Sequence, residues 1–271
     1  MSVLAPLPAL LLTASSLTPP PSPPSEAGPY PSDWFLRQRA WPHADIRQDS
    51  RLAAHAQATA LRSFARGTPT GAWEPVGPRN IGGRVTDVAC HPTDPDVVYI
   101  GAASGGVFRT TDAGSTWTPL FDDESSLSIG SLALDPTDPD VVWVGTGEPN
   151  GGGGSVSYGG TGVFRSTNAG VTWEHRGLEA TRFVGRIRVD PADPSRLFVA
   201  ALGSQWSPHP ERGVYRTTDA GASWERVLAS TDSTGAVDLV LDAGDPDRIF
   251  AVLWERSRGP DYLDYGGPTS G

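Results

Sequence analysis

The sequence lacks lysine altogether and contains a single cysteine, Cys90. One thiol allows neither an internal disulfide nor a metal site built from cysteines. All 21 basic residues are therefore arginine, and 31 acidic residues outnumber them, which leaves a formal net charge of −10. Nucleic acids and anionic membrane surfaces attract proteins that are rich in Lys and Arg. The composition thus argues against nucleic acid as a partner.

No apolar run at the N-terminus is long enough to span a bilayer. The stretch MSVLAPLPALLLTASS ends at small residues, as a signal peptide does, although it lacks a positive n-region. PPPSPP at 19–24 then predicts an extended polyproline spacer. Residues 1–30 are predicted to be a signal-like, Pro-rich disordered leader of a secreted or periplasmic protein without membrane insertion. The alternative is an ordinary disordered Ala/Pro-rich leader.

Residues 31–70 are predicted to be an N-terminal helical segment. Within it, DIRQDSRLAAHAQATALRSFARG has the spacing of an amphipathic helix, with Asp45 as the cap and Gly67 as the stop. The apolar residues that share one face of this helix are Ile46, Ala53, Ala60, Leu61 and Phe64. This face is expected to pack on the outside of the domain that follows.

The rest of the chain is a repeat. Four segments align without gaps: HPTDPDVVYIGA (91–102), DPTDPDVVWVGT (135–146), DPADPSRLFVAA (190–201) and DAGDPDRIFAVL (242–253). Three of them are followed by a related octet: TTDAGSTW (110–117), STNAGVTW (166–173) and TTDAGASW (217–224). Each repeat of about 50 residues predicts four short strands rich in Val, Ile, Phe, Tyr and Trp, separated by Gly, Pro and Asp. Such a unit is typical of a β-propeller blade.

Both ends of the repeat region predict an incomplete ring. GAWEPVGP (71–78) resembles the fourth strand of a blade that is not there, so it is expected to be lent to the last blade. DYGGPTSG ends just before a fourth octet would begin. Three whole blades and half of a fourth are predicted within residues 71–271, fewer than a closed propeller needs. The chain is expected to be an N-terminal fragment, closed by blades in a longer chain or by a second chain.

The octet is predicted to shape the chain. Its Asp accepts hydrogen bonds in a tight turn, its Gly permits a positive φ, and its Trp packs between blades. Asn168 replaces the Asp in the middle copy, which keeps the acceptor oxygen and excludes acid–base chemistry. The structural residues of the three octets are Asp112, Gly114, Trp117, Asn168, Gly170, Trp173, Asp219, Gly221 and Trp224.

The pattern S/T-x-D/N-x-G-x-S/T-W resembles the Asp-box, or BNR repeat, of sialidases, sortilin-type receptors and xyloglucan-degrading endoglucanases. The stretches PSDWFLRQRAWPHADI (31–46) and SIGSLALDPTDPDVVWVGTGEPN (128–150) resemble large bacterial exported proteins described as sortilin-like. The resemblance implies an all-β fold, a β-propeller of four-stranded blades with Asp-box hairpins. Here the propeller is incomplete at about three and a half blades and is preceded by one N-terminal helix.

Polar residues at the start of the innermost strands are candidates for a binding funnel. Aligning the strands on the Asp-Pro turns places Asp87, Ser131, Arg186 and Asp238 at equivalent positions. A long Gly-rich loop between the second and third strands of the second blade is a further candidate. The predicted ligand-binding residues are Arg84, Asp87, Glu148, Asn150, Tyr158 and Arg186. The alternative is that these side chains are solvated or bonded within turns.

No catalytic residue, cofactor or metal is predicted. The sialidase resemblance implies an arginine triad, a Tyr–Glu pair and a FRIP-like motif, which this sequence does not complete. The xyloglucanase resemblance implies a catalytic Asp four residues after Tyr99, where this sequence has Ala103. The predicted function is a non-catalytic module that binds a peptide or a glycan. The alternatives are a glycoside hydrolase, sialidase-like or xyloglucanase-like, completed by missing blades, and a fragment without independent function.

Overall fold

The computed structural model describes residues 48–64, 83–150, 158–242, 244–258 and 263–271. Several sequence predictions lie outside these residues: the leader (1–30), residues 31–47 with Asp45 and Ile46, Gly67, and the strand predicted at 71–78 with Trp73.

The predicted N-terminal helix is present as α1 (Gln48–Phe64). The predicted packing face is wrong, because Ala53, Ala60 and Leu61 are exposed, Leu61 by 68%. The covered residues lie near the start of α1, where Arg51 Nη1 donates a hydrogen bond of 2.9 Å to the carbonyl of Gly159. This bond joins the first turns of α1 to the segment before β7, and the predicted apolar stripe does not. Across the part of the chain that the structure describes, no helix has both the length and the apolar character needed to cross a membrane.

Within the described residues, fifteen strands form four antiparallel sheets, each in sequence order. Blade 1 contains β1 (Val85–Cys90), β2 (Val98–Ala102), β3 (Gly106–Thr110) and β4 (Thr118–Pro119). Blade 2 contains β5 (Ile129–Leu134), β6 (Val142–Thr146), β7 (Val163–Ser166) and β8 (Glu174–His175). Blade 3 contains β9 (Val184–Val189), β10 (Leu197–Ala201), β11 (Gly213–Thr217) and β12 (Glu225–Leu228). Blade 4 contains β13 (Thr234–Asp242), β14 (Asp245–Arg258) and β15 (Leu263–Tyr265).

The predicted fold class is confirmed: the chain is an incomplete β-propeller preceded by a helix. Two details differ from the sequence prediction. Blade 4 has three described strands where two were expected, and β14 runs for 14 residues. The extension arises because β14 already pairs with β13 at Asp245, opposite Asp242. Each octet Trp also lies just before the fourth strand instead of within it.

The hydrophobic core lies between blades and consists of three clusters. Tyr99 of blade 1 packs with Leu132 of blade 2, and Trp143 of blade 2 packs with Ile187 of blade 3. The third cluster joins blades 3 and 4. Every residue of β6 and β10 is buried, because blades 2 and 3 are covered on both faces. The propeller is therefore held together by the faces of its sheets.

The first strands of consecutive blades lie side by side, with β5 next to β1 and β9, and β9 next to β13. A Cβ on Gly130 would lie 1.9 Å from the carbonyl oxygen of Val184, and one on Gly185 would lie 2.2 Å from that of Val237. Only glycine fits where two backbones approach so closely. The first strands of the blades, β1, β5, β9 and β13, are called the channel strands below. They carry the four polar residues that the sequence alignment placed at equivalent positions, called the polar column.

Candidate functional site

Each channel strand carries a bulge immediately before its predicted polar residue. The ladder skips one residue between Val85 and Asp87 in blade 1, and the same irregularity precedes Ser131, Arg186 and Asp238 in the other blades. A bulge leaves one residue unpaired and re-aims the side chains beside it. The repeated bulge explains why four residues from four blades point to a common place.

Arg186 joins two carboxylates from other blades. Its Nε donates to Asp238 Oδ1 at 2.7 Å, and its Nη1 donates to Asp87 Oδ2 at 3.1 Å. Asp87 Oδ2 also accepts bonds from Ser131 Oγ at 3.1 Å and from the backbone N–H of Leu132 at 2.8 Å. The structure thus brings together all four residues of the predicted column. Asp87, Arg186 and Asp238 are named the channel cluster below. They lie on blades 1, 3 and 4, and the bonds of Asp87 to Ser131 and Leu132 add blade 2.

Burial and ion pairing act in opposite directions on the pKa values of Arg186 and Asp238. Burial lowers the pKa of the Arg186 guanidinium, but the bond to Asp238 and the charges of both carboxylates outweigh it and raise the pKa above its usual value. Burial raises the pKa of Asp238, yet the bond and the charge of Arg186 bring the net pKa below the usual range. For Arg188, burial and the charge of Arg186 lower the pKa. The ion pair of Arg186 with Asp238 therefore favours the charged form of both side chains.

Arg84 and Glu148 form a second group at the end of the blades opposite the Asp-Pro turns. This end is called the loop end below. Arg84 Nε donates to Glu148 Oε1 at 2.7 Å, and Nη2 binds Oε2, so the pair is bidentate. The Glu148 side chain is 4% exposed and that of Arg84 is 45% exposed. The bond to Glu148 raises the pKa of Arg84. The carbonyl of Arg84 accepts a bond of 2.9 Å from the N–H of Ala103, which places Ala103 beside this pair.

Tyr158 lines an open cleft of about 330 Å³ next to this pair. The other lining residues are Arg51, Ser104, Ser126, Leu127 and Ser128. Tyr158 is 51% exposed, whereas Ser126 and Ser128 are buried. Ser128 Oγ accepts the backbone N–H of Glu148 at 3.2 Å, so the cleft adjoins the Arg84–Glu148 pair. Asn150 is exposed at the edge of the described residues, and no described contact joins it to the other candidates.

Sequence reasoning missed three buried polar residues at the same end. Arg212 donates to the carbonyls of Ser204 at 2.5 Å and Ser233 at 2.8 Å. Its burial lowers the pKa to about 10. Arg256 and Gln205 both donate to the carbonyl of Pro149, which fixes the loop that carries Glu148. All of these acceptors are backbone carbonyls, which every residue carries, so no residue pattern in the sequence could have revealed these contacts.

The octets lie at the opposite end of the blades. Because neighbouring strands are antiparallel, the octet turns share an end with the Asp-Pro turns, and Ala113 N–H donates to the carbonyl of Asp96 at 3.1 Å. Asp112 Oδ1 accepts the N–H of Thr116 at 2.8 Å, and Asn168 Oδ1 accepts that of Thr172 at 2.9 Å. The octets therefore form no part of the loop end. Among the residues described, no three His, Cys, Asp or Glu side chains gather as a metal ion would require.

The chain is similar to known propeller proteins. Over 174 residues, 57% of the chain, it is 31% identical to the xyloglucanase Xgh74A of Acetivibrio thermocellus. An ancestral GH74 enzyme matches with a TM-score of 0.50 at 21% identity, over 64% of this chain and 22% of that chain. The GH74 xyloglucanase from Xanthomonas campestris matches with a TM-score of 0.46 at 25% identity, over 70% and 28% of the two chains.

No protein-family model matches the sequence. The aligned part of the chain spans 19% of the length of the Acetivibrio relative. The fold and these similarities together define a β-propeller protein with sequence similarity to a glycoside hydrolase.

Proposed function

We propose that this chain is a glycan-binding propeller module of the Asp-box (BNR) type. The observation that carries the proposal is the 31% identity, over 57% of the chain, to a protein named as a xyloglucanase. The loop end of the blades is the proposed binding face, because it holds the cleft beside Tyr158 and the Arg84–Glu148 pair. The octets occupy the other end and are proposed to be structural.

The chemistry of the cleft suits a sugar. Ser104 is exposed on the cleft and offers a hydroxyl that both donates and accepts hydrogen bonds, as sugar hydroxyls do. Ser126 and Ser128 are buried in its wall, where their hydroxyls bind the carbonyl of Gly159 and the N–H of Glu148. The half-exposed ring of Tyr158 offers a flat apolar surface with a polar tip. A few placed polar groups around an apolar contact are typical of small-ligand sites.

The described residues favour binding without cleavage. Glycoside hydrolysis by the usual route needs two carboxyl groups with different protonation states on either side of the bond. Ala103 has no carboxyl group, and Glu148 and Asp87 are both held by arginines. We therefore propose a non-catalytic role for this chain.

The proposal includes an export leader at residues 1–30, a helical segment at 31–70 and the propeller at 71–271. A secreted or periplasmic location would place the binding face where polysaccharides are found. Cleavage of the leader in cells, checked by N-terminal sequencing of the exported protein, tests this arrangement. An uncleaved protein retained in the cytoplasm would contradict it.

Calorimetric titration with xyloglucan oligosaccharides tests the binding face. Tyr158→Ala is expected to weaken binding about tenfold, a loss of ~1.4 kcal/mol. The matched control is Val171→Ala, which removes a 67% exposed apolar side chain at the octet end and should leave binding unchanged. Equal effects of the two changes would contradict the proposed face. If the chain binds peptides and no glycans, the ligand is a peptide and the proposed glycan binding is wrong.

A glycoside hydrolase is the second candidate, favoured by the name of the Acetivibrio relative. Release of reducing ends from xyloglucan by the 271-residue chain would support it. Glu148→Gln and Asp87→Asn should then abolish the release. Binding of the oligosaccharides without any release would support the non-catalytic module.

A further inference from the structure

Arg84 uses only one edge of its guanidinium within the protein. Its Nε and Nη2 bind the two carboxylate oxygens of Glu148, Nε at 2.7 Å, and its Nη1 donates to no residue that the structure describes. The side chain of Arg84 is 45% exposed, whereas that of Glu148 is 4% exposed. Because a guanidinium carries five N–H donors, this pairing leaves donors of Arg84 for a ligand at the loop end.

Two other arginines of this chain use the corresponding nitrogen for a second carboxylate. Arg196 binds Asp190 with Nε and Nη2, and it binds Asp247 with Nη1. The first of these carboxylates is buried, whereas the side chain of the second is 79% exposed. Arg186 likewise binds one carboxylate with Nε and another with Nη1. The Nη1 of Arg84 is therefore the donor with which this chain binds a second carboxylate elsewhere.

The loop that carries Glu148 holds the guanidinium of Arg84 in one orientation. The N–H of Glu148 donates to Ser128 Oγ at 3.2 Å. The carbonyl of the next residue, Pro149, accepts a bond of 3.3 Å from Nε2 of the fully buried Gln205. A group that is already held in place loses little conformational freedom on binding, which raises affinity. Glu148 thus acts as a positioning residue for Arg84.

Arg84 also adjoins the cleft that Tyr158 lines. The carbonyl of Arg84 accepts the N–H of Ala103 at 2.9 Å, and the next residue, Ser104, lines the cleft. The charged residue of that lining is Arg51, and no acidic side chain among the described residues belongs to it. The lining itself therefore contributes positive charge and no negative charge.

We propose that the glycan bound at the loop end is acidic, and that Arg84 binds a carboxylate of one of its uronic acid units through Nη1. This ligand class deepens the proposed function and rests on it. A hydrogen bond between a guanidinium and a carboxylate is about twice as strong as one between neutral groups. A neutral sugar offers Arg84 only hydroxyl and ether oxygens, so the charged bond distinguishes acidic from neutral glycans.

Calorimetric titration of the 271-residue chain with the trimer of galacturonic acid and with the methyl ester of that trimer tests the ligand class. The two trimers have the same length and the same sugar rings, and the ester neutralises the carboxylates. The acid should bind about tenfold more tightly, which is the effect of one hydrogen bond to a charged group. Raising the salt concentration to about 0.5 M should reduce this preference, because salt screens charges that are partly exposed.

A double variant tests the role of Arg84. Arg84→Gln combined with Glu148→Gln should abolish the preference for the acid, and it leaves no buried charge without its partner. A merely structural role of the pair would weaken the binding of acid and ester equally. The matched control is Arg216→Gln with Glu225→Gln, which removes an ion pair beside the third octet whose arginine is 41% exposed, and it should keep the preference. Circular dichroism and cooperative melting check that both double variants are folded.

The outcomes separate this inference from the proposed function. Equal affinity for the acid and the ester overturns the inference, while glycan binding stands. A preference for the acid that survives in the Arg84 and Glu148 double variant overturns the role of Arg84. If a peptide of three glutamates binds more tightly than the galacturonic acid trimer, the carboxylate belongs to a peptide and the proposal is wrong. Failure of both trimers to bind also overturns it, and xyloglucan oligosaccharides then show whether the proposed function survives.

Discussion

At the scale of single residues, Asp219 and Asn168 do the same work in two octets. Asp219 accepts the backbone N–H of Ser223 at 2.9 Å, and Asn168 accepts that of Thr172 at 2.9 Å. The remaining polar atom differs: Asp219 Oδ2 accepts the hydroxyl of Ser223, whereas Asn168 Nδ2 donates to Thr172 Oγ1. The hydroxyl rotates to suit either partner. The turn therefore keeps the same backbone hydrogen bond with or without a negative charge at this position.

Asp219→Asn is expected to remove acid sensitivity from the third octet. Hydrogen bonds from Ser223 and Thr217 lower the pKa of Asp219 from 3.8 to about 2. Since the folded-state pKa is depressed, the charged form stabilises the fold above pH 3.8, and this contribution is lost as the pH falls towards 2. The variant should melt like the parent at neutral pH and lose less stability between those two pH values.

Thermal melts across that pH range check this prediction, with Asn168→Asp as the reverse change. That variant should gain acid sensitivity in the second octet. If the stability of all three proteins falls equally over this pH range, the carboxyl group makes no pH-dependent contribution to stability.

The octet glycines differ in how much room surrounds them. Gly114 and Gly170 have φ values of +88° and +86°, which strain any residue with a Cβ. A Cβ on Gly114 would meet nothing closer than 3.8 Å, whereas one on Gly170 would lie 2.7 Å from a methyl group of Leu120. Gly114→Ala should cost about 1–2 kcal/mol from backbone strain alone, and Gly170→Ala should cost more. Denaturant unfolding of both variants checks the order, which the reverse ranking would contradict.

At the scale of strands, the bulge and the glycine act together at the channel. The residue skipped by the ladder in blade 3 is Gly185, directly before Arg186. Because Gly185 has no side chain, the backbone of β13 can approach β9, and Arg186 comes within hydrogen-bond distance of Asp238 on β13. Close packing of the strands and the charge contacts of the channel cluster thus have one cause.

Gly185→Ala is expected to separate blades 3 and 4. The added Cβ would lie 2.2 Å from the carbonyl oxygen of Val237, a rigid backbone atom, so the strands must move apart. Overpacking of this kind costs about 1–3 kcal/mol. Gly83→Ala is the control, because nothing lies within 4 Å of its Cβ position. Unfolding free energies measure the difference, and equal values for the two variants would refute the close-approach argument.

At the scale of the whole molecule, the propeller is a row of blades whose sheets pack on their neighbours, while single side chains such as Arg186 and Arg256 reach past one blade. Blades 2 and 3 have neighbours on both faces, whereas blades 1 and 4 each have one bare face among the described residues. In repeat architectures, stability is approximately the sum of the intrinsic stability of each unit and its contacts with its neighbours. The two middle blades should therefore open last.

Hydrogen exchange of dilute single chains should show this order directly. Amides of β6 and β10, in which every residue is buried, should exchange most slowly. Amides of β14 should exchange sooner, because many of its side chains are exposed and its sheet has one neighbour. Exchange at equal rates in β6 and β14 would mean that the blades unfold as one unit.

The sequence by itself determined the blade, the number of repeats and the alignment of the channel column. These are local properties: strands, Asp-Pro turns and octets depend on residues a few positions apart, and aligning the repeats placed Asp87, Ser131, Arg186 and Asp238 at one level. The sequence could also exclude acid–base chemistry in the octet, because Asn168 stands in one copy.

Only the tertiary structure decided which of these residues touch. Arg84 meets Glu148 across 64 positions, and Arg186 meets Asp87 across 99, distances over which no local pattern operates. The sequence also failed to predict the packing of α1, because Arg51 bonds to the carbonyl of Gly159, 108 positions away, while the predicted apolar stripe stays exposed. Contacts with backbone carbonyls, such as those of Arg212, leave no complementary residue in the sequence, so the fold alone reveals them.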